Sequence, residues 1–292
     1  MKQIDVNTKL LGLFGNPLSF TMSPLMHNTA FEQMGLNYLY IPFEVHEEHF
    51  AETIKSLKYF NFAGCNVTSP YKTRVIEYLD EISDRAKVIG AVNTVSLRNG
   101  VLKGFNTDGE GFVESLRYEK NVEPKGSKFI VLGSGGAARA VVMTLAFEGA
   151  NKIYIANRTF KSALELAEEV NKIHQCAIPI ELNSAEIEKY IEETDVIINT
   201  TKAGMYPDIS KTPVEITRVH SKLIACDIIY NPMRTTFLKS MEQLGCETVT
   251  GVGMLINQGA EAFRIWTGEV PPREQLYSLV QNTLSARMAE QQ

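Results

Sequence analysis

The sequence predicts an α/β protein of two domains, each built around a mainly parallel sheet. Its length of 292 residues corresponds to two domains of ~150 residues each. Short apolar segments alternate with segments of helical period along most of the chain, as in sheets whose parallel strands are joined by helices. A charged stretch at residues 118–127, which contains Pro and Gly, interrupts the alternation and marks a linker.

The first domain begins with a strand at residues 10–15. Pro24 opens a helix that ends at Gly35, with apolar residues at helical spacing between them. Pro70 stands where a later helix would begin, and Asn99-Gly100 predicts a hairpin turn. The other predicted elements are strands at residues 38–45, 62–67, 92–97 and 101–105 and a helix at residues 46–57.

The second domain follows the linker with a strand, a glycine cluster and a helix. Its predicted strands are residues 128–132, 152–156, 195–199 and 223–229, and its predicted helices are residues 137–147 and 161–172. From Gly253 the chain is helical in pattern, and we expect these helices to return to the first domain. The predicted domains are therefore residues 1–110 with 253–292, and residues 111–252.

Composition and charge exclude several classes of protein. The chain is 44% apolar and 22% charged, which excludes intrinsic disorder and collagen. Its 29 basic and 34 acidic residues give a net charge of −5, so it has no broad field for nucleic acid or an anionic membrane. No apolar run approaches the ~18 residues of a membrane span. We expect a monomer or a homodimer.

Cysteine and histidine usage predicts neither a metal site nor a redox centre. No two of the four cysteines have C-x-x-C spacing, and such scattered thiols are typical of a reducing cytoplasm. His46 and His49 share a predicted surface helix without further ligands, so zinc is not expected there. The expected location is cytoplasmic.

A glycine-rich segment follows the first strand of the second domain. Gly133-Ser134-Gly135-Gly136-Ala137-Ala138 fits G-x-G-x-x-A, the alanine variant of the dinucleotide fingerprint. Small residues let the backbone approach a pyrophosphate, and the following helix N-terminus offers free N–H donors. The second domain is thus predicted to be a Rossmann-like, doubly wound dinucleotide-binding domain, the alternative being a tight turn without a ligand.

The end of the next strand indicates which dinucleotide is bound. An NAD site favours Asp or Glu there for the ribose 2′-hydroxyl, whereas this chain has Asn157-Arg158-Thr159, with Lys161 nearby. An arginine can pair with a 2′-phosphate through parallel charge-assisted hydrogen bonds. The expected cofactor is NADP, with NAD less favoured, and the alternative is an arginine that is only solvated.

Three polar clusters follow predicted strands of the first domain. Thr21 and Ser23 precede a helix, where they could hold a carboxylate or cap the helix. Asn66-Val67-Thr68-Ser69-Pro70-Tyr71-Lys72 places Lys72 in the first turn of the predicted helix, where a cation opposes the helix dipole, so a purely structural role is disfavoured. Asp108 leaves a strand and enters a helix, and N-capping is its structural alternative.

Together these motifs resemble the shikimate dehydrogenase family, including its quinate/shikimate branch. The resemblance covers nearly the whole chain in order. It is carried by residues 15–24, N-V-T-x-P-x-K at Asn66–Lys72, G-A-V-N-T at Gly90–Thr94, N-T-D-G at Asn106–Gly109, the glycine loop, N-R-T at Asn157, D-x-x-Y-x-P at Asp227–Pro232 and G-x-x-M-L-x-x-Q-G at Gly251–Gly259.

The resemblance implies roles for individual residues. Thr21 and Ser23 would hold the substrate carboxylate. The ring hydroxyls would be bound by Asn66, Thr68, Asn93, Asp108 and Gln258. Lys72 would be the catalytic group, with Asp108 beside it. The pyrophosphate would lie on Gly133, Ser134, Gly135, Gly136 and Ala137, and the adenosine ribose and its phosphate on Asn157, Arg158, Thr159 and Lys161. The nicotinamide side would be lined by Thr201, Ile228, Tyr230, Gly251 and Met254, with Tyr230 also counted as substrate-binding.

The activity implied is reversible reduction of 3-dehydroshikimate by NADPH to shikimate, with no metal. Thr21 stands where many members have Ser, and Ser162 replaces a common Arg, which permits a dehydrogenase that prefers quinate and accepts NAD. Lys202 stands where small hydroxyl residues are usual. A non-catalytic sensor on the same scaffold is the alternative of another class, and the presence of Lys72 and Asp108 disfavours it.

Overall fold

A computed structural model describes residues 4–18 and 21–290. The chain forms two compact units. The first unit comprises Met1–Thr107 with Gln258–Val280, and the second comprises Asp108–Asn257 with Gln281–Gln292. Residues 19 and 20, within the family segment at residues 15–24, lie outside the described residues.

The first unit is built on a six-stranded mixed sheet. Its strands are β1 (Lys9–Gly15), β2 (Tyr38–Glu44), β3 (Phe62–Val67), β4 (Glu81–Ile82), β5 (Thr94–Arg98) and β6 (Val101–Phe105). Their order in the sheet is β2-β1-β3-β5-β6-β4. β1 pairs in parallel with β2 and β3, and β4 does so with β6, whereas β5 is antiparallel to both of its neighbours. The predicted α/β class is confirmed.

The predicted hairpin is present between β5 and β6. Asn99 and Gly100 have φ angles of 52° and 77°, the left-handed conformations that a two-residue hairpin turn requires. The hairpin reverses the chain, so the start of β5 and the end of β6 both lie at the carboxyl end of β3. Asn93 and Asn106 are thereby placed at that edge of the sheet.

The helix predicted to begin at Pro70 is absent. The helices of this unit are α1 (Ser23–Gln33), α2 (Phe50–Ser56) and α3 (Asp84–Ile89), with short 3₁₀ helices at Glu47–His49, Leu57–Tyr59 and Arg74–Tyr78. Residues 70–73 form a turn. The Lys72 carbonyl accepts a hydrogen bond from the Val92 amide at 2.7 Å, so it does not serve a helix. The placement of Lys72 in a first helical turn was therefore wrong.

The second unit is a fully parallel sheet flanked by helices. It begins with α4 (Asp108–Lys120), which extends into the predicted linker. The strands are β7 (Lys128–Leu132), β8 (Lys152–Asn157), β9 (Ala177–Glu181), β10 (Val196–Asn199), β11 (Ile224–Asp227) and β12 (Glu247–Val249). The helices are α5 (Gly136–Phe147), α6 (Phe160–Asn171), α7 (Ser184–Tyr190) and α8 (Thr236–Gln243). The strand order β12-β11-β10-β7-β8-β9 confirms a doubly wound sheet.

Two long helices complete the chain, α9 (Gly251–Thr267) and α10 (Arg273–Glu290). The stretch Gln258–Val280 belongs to the first unit. There the Trp266 indole donates to the Val95 carbonyl at 2.9 Å, and Phe263 stacks on Phe31 with ring centroids 4.8 Å apart. The predicted return to the first domain is confirmed for Gln258–Val280, whereas the end of α10 from Gln281 belongs to the second unit. Among the described residues, no helix has the length and apolarity that a membrane crossing demands.

Candidate active site

The carboxyl edge of the first sheet has a switch point at β1. The chain passes from β1 to β2 on one side and later to β3 on the other side, and α/β sheets bind ligands at such points. The segments that follow β1 and β3 are joined by backbone hydrogen bonds, from the Asn16 amide to the Ser69 carbonyl at 3.2 Å and from the Thr68 amide to the Phe14 carbonyl at 2.8 Å.

The two predicted carboxylate-binding hydroxyls lie at the N-terminus of α1. Met22 is the N-cap residue and Ser23 is the first helical residue, so neither predicted hydroxyl occupies the cap position. The Thr21 hydroxyl accepts a hydrogen bond from the Ser23 amide at 3.2 Å. Both residues are half-buried. A carboxylate at this position would be favoured by the positive end of the helix dipole.

Asn66 and Asn93 lie in one buried hydrogen-bonded network. The Asn66 amide nitrogen donates to the Asn93 carbonyl at 3.1 Å and to the Thr94 hydroxyl at 3.0 Å. The Asn93 amide oxygen accepts from the Thr107 backbone amide at 2.8 Å, and its amide nitrogen donates to the Thr107 hydroxyl at 2.9 Å. Because each hydrogen bond holds a side chain in one orientation, the network forms a rigid polar surface at the carboxyl edge of the sheet.

The other predicted residues of the substrate and catalytic sets are distributed over both units. Thr68 and Lys72 are half-buried in the first unit, as is Gln258 on α9. Asp108 is buried and is the first residue of α4, at the positive end of that helix dipole. Tyr230 follows β11 in the second unit, and burial raises the pKa of its phenol. The phenol of Tyr230 therefore stays protonated at neutral pH.

The glycine loop joins β7 to α5 as predicted. Gly133 has a φ of +113°, and a Cβ there would lie 2.9 Å from the Thr200 hydroxyl, so only glycine fits. The N-cap residue of α5 is Gly135, and no side chain caps the helix. Gly135 and Gly136 are exposed, and a Cβ on either would meet no atom within 4 Å. The loop thus offers uncapped backbone N–H donors beside open space.

Asn157, Arg158 and Thr159 join β8 to α6 at the same carboxyl edge. The Asn157 amide donates to the Thr159 carbonyl at 3.1 Å, which closes the loop, while Arg158 and Thr159 are exposed. Lys161 lies 3.8 Å from the Glu165 carboxylate on the exposed surface of α6. Such an exposed pair contributes little and leaves the ammonium free to move.

A second buried network supports the loops that follow β10 and β11. Asp227 accepts hydrogen bonds from the Asn199 amide at 2.9 Å, the Thr235 hydroxyl at 2.7 Å and the Ile229 backbone at 2.9 Å. Asn199 in turn accepts from the Thr201 hydroxyl at 2.7 Å. Burial raises the pKa of Asp227 to about 6 despite these three donors. Asp227 therefore holds Thr201 in place through Asn199.

Ile228 and Gly251 are in direct contact. A Cβ on Gly251 would lie 2.3 Å from the Ile228 carbonyl oxygen, and the Gly251 amide donates to the Ile229 carbonyl at 3.2 Å. Glycine at the start of α9 is therefore required for the close approach of that helix to the segment after β11. Met254 is buried one turn further along the helix.

No group of three or more His, Cys, Asp or Glu side chains with metal-binding geometry occurs in the described part of the chain. His49 lies 3.5 Å from Glu48, and both side chains are exposed. All four cysteines are buried free thiols.

Comparison with known proteins identifies the family. Three family models match the chain: the shikimate dehydrogenase substrate binding domain over residues 13–95, shikimate / quinate 5-dehydrogenase over residues 117–232, and the shikimate 5′-dehydrogenase C-terminal domain over residues 251–281. The chain belongs to the shikimate dehydrogenase family. The resemblance stated from the motifs is confirmed.

Similar members of known sequence or structure cover nearly the whole chain. Shikimate dehydrogenase (NADP(+)) from Methanopyrus kandleri is 45% identical over 93% of this chain and 94% of its own. The structure of shikimate 5-dehydrogenase from Listeria monocytogenes with shikimate and NAD has a TM-score of 0.90 at 35% identity, covering 96% of this chain and 99% of its own. Quinate dehydrogenase from Corynebacterium glutamicum with NAD has a TM-score of 0.85 at 30% identity, covering 93% and 98%.

The structure adds residues that the motifs did not reveal. Tyr40 donates to the Asn66 amide oxygen at 2.7 Å, although its place in an apolar strand indicated only core packing. Thr235 and Asp227 support the loops after β10 and β11. The D-x-x-Y-x-P motif pointed to Asp227, and no motif pointed to Thr235. Glu181 pairs in register with Asn157, so an acidic residue of β9 is the strand neighbour of a residue expected to contact the ribose. Nothing local in the sequence signals that pairing.

Proposed function

We propose that this protein is an NADP-dependent shikimate dehydrogenase, which reversibly reduces 3-dehydroshikimate to shikimate in the chorismate route to aromatic amino acids. The observation that carries the proposal is the glycine loop at a switch point, followed by Arg158 at the end of β8, in a chain whose first unit matches the substrate-binding domain of the family.

The residues of the second unit fit an NADP molecule. Uncapped N–H groups of α5 and the open space at Gly135 and Gly136 suit a pyrophosphate. The remaining glycine-loop contacts would come from Gly133, Ser134 and Ala137. Exposed Arg158 suits a 2′-phosphate, with Asn157, Thr159 and Lys161 around the ribose. Thr201, Ile228, Gly251 and Met254 would line the nicotinamide side. When bound, NADPH supplies the hydride.

The first unit would hold the hydroxy acid. Thr21 and Ser23 at the N-terminus of α1 would donate to its carboxylate, and the ring hydroxyls would be bound by Asn66, Thr68, Asn93 and Gln258. Tyr230 of the second unit would complete the substrate-binding set. The buried amides of Asn66 and Asn93 are held in place by hydrogen bonds, which supports these roles because a rigid polar surface selects one arrangement of hydroxyls.

Lys72 is the proton donor in this proposal. Negative charge develops on the carbonyl oxygen as its carbon is reduced, and an ammonium group both stabilises that charge and donates the proton. In the oxidation direction Lys72 accepts the proton from the alcohol. Asp108, the first residue of α4, is the second catalytic residue of the proposal. Residues 1–110 with 253–292 would form the substrate domain and residues 111–252 the cofactor domain.

The proposal also covers the binding partner, the cellular location and the oligomeric state of the enzyme. Its partner is a small hydroxy acid, not nucleic acid. Four free buried thiols support a reducing cytoplasm. We propose a monomer or a homodimer, which analytical ultracentrifugation would distinguish.

A steady-state assay with shikimate or quinate and with NADP⁺ or NAD⁺ tests the proposal. Shikimate with NADP⁺ should give the highest kcat/KM of the four combinations. A higher kcat/KM for quinate with NAD⁺ would instead make the protein a quinate dehydrogenase. Binding of ligands without turnover would make it a sensor, and either result overturns the proposal.

A further inference from the structure

Tyr40 is a buried phenol in the middle of β2 that the proposed mechanism does not use. Its hydroxyl donates to the Asn66 amide oxygen at 2.7 Å. The phenol therefore contacts a residue that is proposed to bind a ring hydroxyl. Both residues belong to the first unit.

The direction of each hydrogen bond at Asn66 is determined by its neighbours. The Asn93 carbonyl, 3.1 Å away, can only accept, so the end of the Asn66 amide that faces it must be the NH₂ group. The second hydrogen of that group is taken by Thr94 at 3.0 Å. The amide oxygen consequently faces Tyr40, whose phenol must donate to it.

The ring of Tyr40 is held so firmly that its hydroxyl has one position. It is 1% exposed and stacks on the His27 ring with centroids 4.5 Å apart. The backbone of Tyr40 is bound on both sides by Asn28, which donates to its carbonyl at 2.9 Å and accepts from its amide at 2.8 Å. Burial raises the pKa of the phenol well above its usual value, so its proton is present at every working pH.

We propose that Tyr40 is a positioning residue that fixes the orientation of Asn66, so that Asn66 can only accept a hydrogen bond from the substrate. Both amide hydrogens are used within the protein, and one lone pair of the oxygen remains. The group opposite Asn66 must therefore be a hydroxyl, and a carbonyl there is rejected because two acceptors would face each other. This inference rests on the proposed function.

Removal of the phenol hydroxyl tests the role of Tyr40. In Tyr40→Phe we expect KM for shikimate to rise about fivefold to tenfold, because Asn66 loses one fixed hydrogen bond. We expect kcat and KM for NADP⁺ to change less than about twofold, since the contact is to a hydroxyl that does not react. Tyr154→Phe is the matched control, because Tyr154 is an equally buried phenol in the second unit, bonded to Glu193. This control should leave KM for shikimate unchanged.

A double-mutant cycle separates positioning from general destabilisation. In an Asn66→Ala background, Tyr40→Phe should change kcat/KM for shikimate less than about twofold, because its effect passes through Asn66. Effects that simply add would overturn the inference. Wild-type protein that does not oxidise shikimate at all would refute the proposed function instead, so the two failures are distinguishable.

Shikimate analogues test the same inference on the wild-type protein, even if Tyr40→Phe does not fold. Deoxy analogues first identify the shikimate hydroxyl that contacts Asn66. Removing that hydroxyl should weaken binding to wild type but should not weaken binding to Asn66→Ala any further. Fluorine at that position cannot donate, so the fluoro analogue should bind as weakly as the deoxy analogue. A fluoro analogue that binds as well as shikimate would show that Asn66 donates, and the inference would be wrong.

Discussion

The two units present their candidate ligand-binding residues in opposite ways. In the first unit, Asn66 and Asn93 are 7% and 3% exposed, and their amides are held by neighbouring side chains and backbone. In the second unit, Gly135, Gly136 and Arg158 are exposed, and the helix after the glycine loop has no side-chain cap. The first edge is a preformed polar surface, and the second combines uncapped backbone N–H groups with an exposed positive charge.

This difference predicts how each edge selects its ligand. Buried groups that are already bonded reject a ligand whose hydroxyls do not match, because an unpaired buried group is costly. Exposed charges select by Coulomb attraction, which water and salt weaken. We therefore expect strict selection of the hydroxy acid, and a cofactor preference that is graded and sensitive to ionic strength.

The largest expected effect is at Lys72. Its replacement in Lys72→Ala removes the proton donor, so kcat for shikimate oxidation should fall by ~10²-fold or more while the Kd for NADP⁺ stays near that of wild type. Lys103→Ala is the charge-matched control, since Lys103 pairs with Glu81 at 2.9 Å on the surface of the same unit. Stopped-flow turnover and fluorescence titration of the cofactor measure the two quantities. Near-normal turnover in Lys72→Ala would remove it from the mechanism.

Arg158 tests whether an exposed charge of the second unit selects the cofactor. In Arg158→Ala the Kd for NADP⁺ should rise about tenfold to a hundredfold, because a charge-assisted pair to the 2′-phosphate is lost, whereas the Kd for NAD⁺ should change little. Arg218→Ala, which removes an exposed arginine 3.7 Å from Glu188 in the same unit, is the control. Equal losses for both cofactors would mean that the 2′-phosphate is recognised elsewhere.

Asp227 tests whether the second unit also has a rigid network beneath its exposed loops. Burial raises the pKa of this carboxyl from 3.8 to about 6. Between these values the folded protein binds more protons than the unfolded chain, so the contribution of Asp227 to stability falls as pH rises. From pH 8 to pH 5, the free energy of unfolding of wild type relative to Asp227→Asn should therefore increase by about 1.4 kcal/mol.

Urea denaturation of both proteins at several pH values measures this difference. For Asp80→Asn, the free energy of unfolding of wild type relative to the variant should instead decrease as pH falls, and by a smaller amount. A hydrogen bond from Lys58 and one from the Leu102 amide lower the pKa of Asp80, and the residue is exposed. A difference for Asp227→Asn that does not vary with pH would show that the carboxyl is not buried in the folded protein.

The strand, loop and helix of the glycine-rich segment were predicted from local sequence, whereas two features that depend on residues distant in the chain were not. The strand at β7, the glycine loop and α5 were predicted because apolar period and small residues are adjacent in the chain. The turn at Lys72 was mistaken for a helix because the partner of its carbonyl, Val92, is distant in sequence. Tyr40 meets Asn66 only because β2 and β3 flank β1 on opposite sides.

Glu181 gives the smallest expected effect and the sharpest test of how the second unit selects its cofactor. The register of β8 and β9 pairs it with Asn157, so both side chains lie on one face of the sheet, and its carboxylate accepts from Asn183 at 3.1 Å. A carboxylate there repels a 2′-phosphate across water. Glu181→Gln should therefore lower the Kd for NADP⁺ about twofold at low salt, with a smaller change for NAD⁺.

The salt dependence decides whether this effect is electrostatic. At an ionic strength of about 0.5 M the difference between Glu181→Gln and wild type should vanish, because the Debye length falls to about 4 Å and exposed charges are screened. Glu192→Gln is the control. Glu192 is an exposed residue that precedes β10, at the amino ends of the strands, so this substitution should leave the Kd for NADP⁺ unchanged. An equal gain in that control would mean that net charge alone, not the position of Glu181 beside Asn157, governs cofactor affinity.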